Sequence, residues 1–142
     1  MTFARIVALS GVWNGLIGIG LVIPAFRRLL SLTVPGEFWA WLTAIFLWFT
    51  AAALILASRD LTHRASIVYY EGILRFVATV VLITLGVPVL GWTAWLFAAT
   101  DAAWGVIYFV GLTRTLKRSH LDLLLDRPAE EAAVARSAPE IA

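Results

Sequence analysis

The sequence predicts an all-α integral membrane protein. Four transmembrane helices form an up-down-up-down bundle that reads as two repeated helix hairpins, followed by a short C-terminal amphipathic helix. Three observations carry this prediction. The chain is 61% hydrophobic and only 14% charged, with a mean hydropathy of +0.89, whereas a soluble domain is nearer half apolar and a quarter charged. Four apolar segments each approach the ~20 residues needed to cross a bilayer. The links between them are short, which makes consecutive helices antiparallel neighbours.

The first span is expected over residues 5–26. It follows a weakly basic start, and its apolar run of about 20 residues exceeds a signal-peptide core and lacks a small-residue cleavage site, so it reads as a retained helix. The connection after it carries turn signals at Pro35-Gly36. The second span is expected over 38–57 and is followed by a short charged link, 58–65. The third, over 66–87, ends in a tight uncharged link at 88–91, and the fourth covers 92–113. Together these make a four-helix domain over residues 1–114.

Beyond Arg114 the composition changes. Leu116, Leu121, Leu124 and Leu125 alternate with charges, a pattern that suits a juxtamembrane amphipathic helix over 115–127 lying on the membrane surface. Pro128 should stop it. Residues 128–142 read as a flexible cytoplasmic tail.

Basic residues give the orientation. Arg5, Arg59, Arg64, Arg114, Lys117 and Arg118 fall at one end of the expected bundle, and Arg27 and Arg28 at the other. The positive-inside rule then places both termini in the cytoplasm of a plasma or bacterial-type inner membrane. Trp39, Trp41, Trp92 and Trp95 gather at the opposite interface as an aromatic belt.

The halves align weakly. Ala4, Ile6, Val7 and Gly11 fall onto Ala65, Ile67, Val68 and Gly72. That register puts Ser10 over Glu71 and Asn14 over Arg75. Ala40-Trp41-Leu42 matches Ala94-Trp95-Leu96. Hairpins of the same orientation form a parallel repeat about an axis along the membrane normal.

The chemistry-bearing residues lie inside the spans. At about 1.5 Å of rise per residue, Asn14, Arg75 and Asp101 sit on three helices at one level near the midplane. Glu71 and Ser10 lie one turn nearer the termini, and Tyr108 approaches Glu71's level. Glu71 and Arg75 share a helix face. An unpaired charge at that depth costs about 2.5–3.5 kcal/mol, so the set should converge, with Arg75 pairing Asp101 across helices and Glu71 along its own. Two acids against one guanidinium leave one negative charge in excess, which a proton, a cation or water would answer. Gly11, Gly15 and Gly18 on the first helix suit close approach. Trp13, Trp48 and Trp104 lie away from the interfaces and suit packing or the walls of a pocket.

Composition also excludes. The absence of cysteine removes disulfides, thiolate metal sites and thiol catalysis. His63 and His120 lie in polar segments, too few for a metal or haem site. No Gly-rich phosphate loop is present, and a net charge of +2 clustered at helix ends points away from nucleic acid. No metal or cofactor is therefore expected. The expected partners are the lipid bilayer, a small lipophilic ligand and a further copy of the chain.

Three functions suit the polar set. The first is a membrane-embedded site that binds or transforms a small lipophilic molecule by acid–base chemistry, such as isomerisation, cyclisation or epoxide opening. Glu71, Arg75 and Asp101 are its catalytic candidates. Asn14, Tyr70, Tyr108, Trp13 and Trp104 are its ligand-binding candidates. The second is a proton- or ion-coupled transporter. The third is an assembly subunit in which the polar set is only a latch between helices.

Overall fold

Each of the four apolar segments forms a helix long and apolar enough to cross a bilayer, which makes the chain a multi-pass membrane protein. The computed structural model describes residues 2–32 and 34–128. Among these the fold is all-α, without strands.

The first span, α1 (Phe3–Val22), ends earlier than the apolar run suggests. Pro24 disfavours a helical conformation in the residue before it, and Ile23 is extended (φ −94°, ψ 112°). Proline then opens a new short helix, α2 (Pro24–Leu29). The second span is α3 (Glu37–Arg59) and the third begins as α4 (Leu61–Val81). Asp60 caps α4 by accepting from the His63 backbone N–H. Its imidazole partner, His63, holds the Asp60 carboxyl below its ordinary value.

A single π-helical turn (Leu82–Gly86) and the short α5 (Val87–Leu90) extend the third span to residue 90. Pro88 removes a backbone donor and crowds the preceding turn, and a wider turn just before it accommodates the ring. The link expected over 88–91 therefore shrinks to Gly91, whose φ of 58° suits glycine. The fourth span is α6 (Trp92–Leu116).

The C-terminal region corrects the sequence reading. In place of an amphipathic helix over 115–127, Leu116 completes α6, Lys117 turns into the left-handed region (φ 52°), and only α7 (His120–Leu124) follows. A capping box between Ser119 and Asp122 starts α7. The segment packs against the bundle through Leu123. Leu123 is fully buried, Arg118 and Asp122 are buried, and Arg118 donates to the carbonyls of Asp122 and Arg127. The tail expected from residue 128 lies, beyond Pro128, outside the described residues.

Packing is heaviest within each hairpin, α1 on α3 and α4 on α6, and much lighter between hairpins. Three contacts of one hairpin recur at the equivalent positions of the other. A side chain at Gly11 would meet Ile55, and one at Gly72 would meet Phe109. Gly15 faces Ala51, whereas Phe76 fills the space beside Gly105. Gly18 lies under the Ala44 carbonyl, and Thr79 donates to the Ala98 carbonyl at 3.3 Å. These three pairs follow the two offsets already visible in the sequence, 61 between first and third spans and 54 between second and fourth. The pairing of small with large residues differs between halves, but the positions that meet do not.

Side-chain size divides the bundle along its length. At the end carrying the termini, Val7, Leu54, Val68, Tyr69, Tyr108, Leu112 and Leu123 form a filled apolar core. Toward the opposite, hairpin end, the buried positions of α3 and α6 are the small residues Ala40, Ala44, Thr93, Ala94 and Ala98. Small residues at facing positions cannot fill the space between helices at normal packing density. Trp39, Trp41, Trp92 and Trp95 are about half exposed there.

Candidate ligand-binding site

Where filled core gives way to small residues, the polar groups meet. Arg75 on α4 is the hub and is only 7% exposed. Each of its nitrogens faces a different acceptor. Nη1 donates to Asp101 Oδ1 on α6 at 2.5 Å, and Nη2 donates to Asn14 Oδ1 on α1 at 2.6 Å. Nε lies 3.3 Å from Glu71 Oε1, an ion-pair distance without hydrogen-bond geometry. Three helices are thus joined through one guanidinium.

Asn14 completes the set. Its Nδ2 donates to Thr50 Oγ1 on α3 at 2.8 Å and, at a long 3.4 Å, to Glu71 Oε1. All four spans therefore contribute. Asn14 and Arg75 are equivalent positions of the two halves, so their bond bridges the hairpins where the repeat axis passes. One turn toward the termini, Tyr108, itself part of the apolar core, donates to Ser10 and forms a further inter-hairpin bond. Thr79 shares its one hydroxyl proton between the Arg75 carbonyl on its own helix, at 2.8 Å, and the Ala98 carbonyl on α6.

Two cavities touch this cluster. The larger, about 280 Å³, has Asn14, Arg75 and Asp101 at its floor. Its walls are Trp13, Ile17, Leu21, Thr43, Leu47, Leu82, Phe97 and Thr100, and it reaches Leu32, Val34 and Leu90 at the hairpin end. The smaller, about 210 Å³, opens sideways past Phe46 and Leu74 between α3 and α4 and adds Glu71 and Thr50 to its wall. Asn14, Thr43, Leu47, Arg75 and Asp101 border both. The volume is at the small end of ligand sites, and a few convergent polar groups in apolar walls are the usual pattern of such sites.

The expected residues divide accordingly. Asn14, Glu71, Arg75, Asp101 and Trp13 stand on cavity walls. Tyr108 does not: it is fully buried and committed to Ser10. Trp104 packs against Tyr108 with ring centroids 6.1 Å apart and borders neither cavity. Tyr70 is half exposed on the outer face of α4, where its hydroxyl donates to the Leu124 carbonyl at 2.6 Å and fastens α7. Sequence reasoning missed the wall residues Ile17, Leu21, Leu47 and Phe97, which carry no polar signal. Among the described residues no three acids or histidines converge as a metal site would need.

Comparisons with family models, with curated proteins and with solved structures find no match for this chain, so function is argued from the site alone.

Proposed function

We propose that the protein holds a small lipophilic molecule within the bilayer and exchanges a proton with it. Asp101 is the group in contact with the ligand, and Glu71 is the second carboxyl across Arg75. Arg75 and Asn14 fix both acids in place. The single observation that carries this reading is the cavity of about 280 Å³ whose floor is Asn14, Arg75 and Asp101. A pure latch has no need of open volume beside it.

The asymmetry of the bundle supports a one-ended site over a conducting path. The cluster borders open volume toward the hairpin end and sideways between α3 and α4. Toward the termini it meets Val7, Leu54, Val68, Tyr108 and Leu112, all fully or nearly fully buried. With the basic residues at the termini end facing the cytoplasm, the cavity opens away from it.

Leu47 borders both cavities, so Leu47→Trp fills them without touching the ion pairs. The test is saturable binding of 1-octanol to the protein in lipid nanodiscs, corrected with protein-free discs. Wild type should saturate, and Leu47→Trp should show partitioning only. Equal behaviour of the two would defeat the reading.

A further inference from the structure

The polar lining of the larger cavity is unequal in donors and acceptors. Thr43 and Thr100 both stand on its wall. Their hydroxyl protons are spent on their own helices, Thr43 to the Trp39 carbonyl and Thr100 to the Leu96 carbonyl, each at 2.8 Å. What these hydroxyls offer the cavity is lone pairs. Asn14 spends its amide protons on Thr50 and Glu71 and its oxygen on Arg75.

The charges lean the same way. The Arg75 side chain is 8% exposed, and each of its nitrogens lies beside a protein acceptor, with one N–H of Nη1 bonded to Asp101 and one of Nη2 to Asn14. The Asp101 side chain is 17% exposed, and only its Oδ1 meets Arg75, so Oδ2 remains for a ligand. Glu71 likewise uses only Oε1. Two carboxylates and one guanidinium carry one excess negative charge when ionised. An anionic or purely accepting ligand would find only the remaining N–H groups of the nearly buried Arg75, beside an excess negative charge. A cationic donor would meet Asp101 Oδ2, the threonine lone pairs and the excess negative charge, with the rings of Trp13 and Phe97 in the wall beside it.

We propose that the ligand is a small lipophilic amine, bound as its ammonium with N–H directed at Asp101 Oδ2 and at the Thr43 and Thr100 oxygens. This deepens the proposed function and rests on its reading of the cavity. It also gives the proton exchange a direction: the ammonium gives its proton to Asp101, and the neutral amine leaves past Phe46 and Leu74 into lipid.

Three probes sharing one apolar body separate the possibilities: n-octylamine, 1-octanol and octanoate, measured at neutral pH in nanodiscs of zwitterionic lipid with protein-free discs subtracted. Octylamine should bind about tenfold tighter than octanol, the gain expected of one charge-assisted bond over a neutral one, and octanoate should be weakest. Asp101→Asn should bring octylamine down to the level of octanol on the wild-type protein. Should Asp101→Asn fail to insert, Glu71→Gln removes the excess charge from the other side of Arg75 and should weaken octylamine binding in the same direction. Octanol or octanoate binding as tightly as octylamine, and still lost in Leu47→Trp, would overturn the amine and leave the cavity standing. Partitioning alone for all three, unchanged in Leu47→Trp, would overturn both.

Discussion

Truncating Asn14 probes the junction of the hairpins most sharply. Asn14 is 2% exposed and makes three polar contacts: with Arg75 at 2.6 Å, Thr50 at 2.8 Å and Glu71 at 3.4 Å. A hydrogen bond between membrane helices contributes about 0.6 kcal/mol on average and up to about 1.7 kcal/mol. The short bond from the guanidinium belongs near the upper figure, the Thr50 bond near the mean, and the long Glu71 contact adds little. Leaving the charged Arg75 Nη2 without its acceptor adds about 1–3 kcal/mol. Asn14→Ala should therefore destabilise the bundle by about 3–5 kcal/mol. Asn14→Leu, which restores volume but not polarity, should recover only a small part of that. Reversible unfolding by SDS in mixed micelles, followed by far-ultraviolet circular dichroism, measures both. A loss under about 0.5 kcal/mol in both variants would mean that these bonds do not hold the hairpins together.

Other predictions follow from the same geometry. Gly11→Ala should cost about 1–3 kcal/mol, because its Cβ would lie 2.9 Å from the Ala51 carbonyl oxygen, whereas Gly15→Ala has its nearest neighbour at 3.8 Å and should be close to neutral in the same unfolding assay. The Asp60 carboxyl is held below its ordinary value of 3.8 chiefly by its hydrogen bond with the His63 side chain. A depressed folded value means that the cap's contribution is complete above pH 3.8 and is lost as the pH falls below it. Amide exchange at the first turn of α4 should accelerate over that window, and in Asp60→Ala it should be fast at every pH. Tyr70→Phe removes the hydroxyl that holds the Leu124 carbonyl, so limited proteolysis near Arg127 should quicken while the global unfolding midpoint moves little.

Much of this architecture is written in the sequence. Apolar runs of bilayer length and short links dictate four antiparallel helices. The depth of Asn14, Arg75 and Asp101 is likewise readable, because charges far inside an apolar run must turn toward one another. What failed did so for definable reasons. Tyr70 neighbours Glu71 in sequence, but successive helical residues point about 100° apart, so Tyr70 faces outward. The proline at 24 is a legible break, masked by the apolar residues that continue past it. The run Gly11, Gly15, Gly18 looks uniform, yet only Gly11 and Gly18 lie in tight contact, and that depends on which residues of α3 oppose them. The fold-back of residues 117–127 depends on a tertiary contact, Leu123 on the apolar core, which no local pattern reports. The cavity is invisible for the same reason: alanines at 40, 44, 94 and 98 create space only because the pairing of helices sets them around one centre.

Because the chain has no cysteine, a single introduced thiol reports its own surroundings. Ile17 lies one turn from Asn14 on the wall of the larger cavity, and Leu54 lies in the apolar core. With a small water-soluble thiol reagent, Ile17→Cys should react and be protected by n-octylamine or 1-octanol, while Leu54→Cys should stay unmodified. An Ile17→Cys thiol as inert as that of Leu54→Cys would contradict an accessible site and leave Asn14, Glu71, Arg75 and Asp101 as a latch between two hairpins.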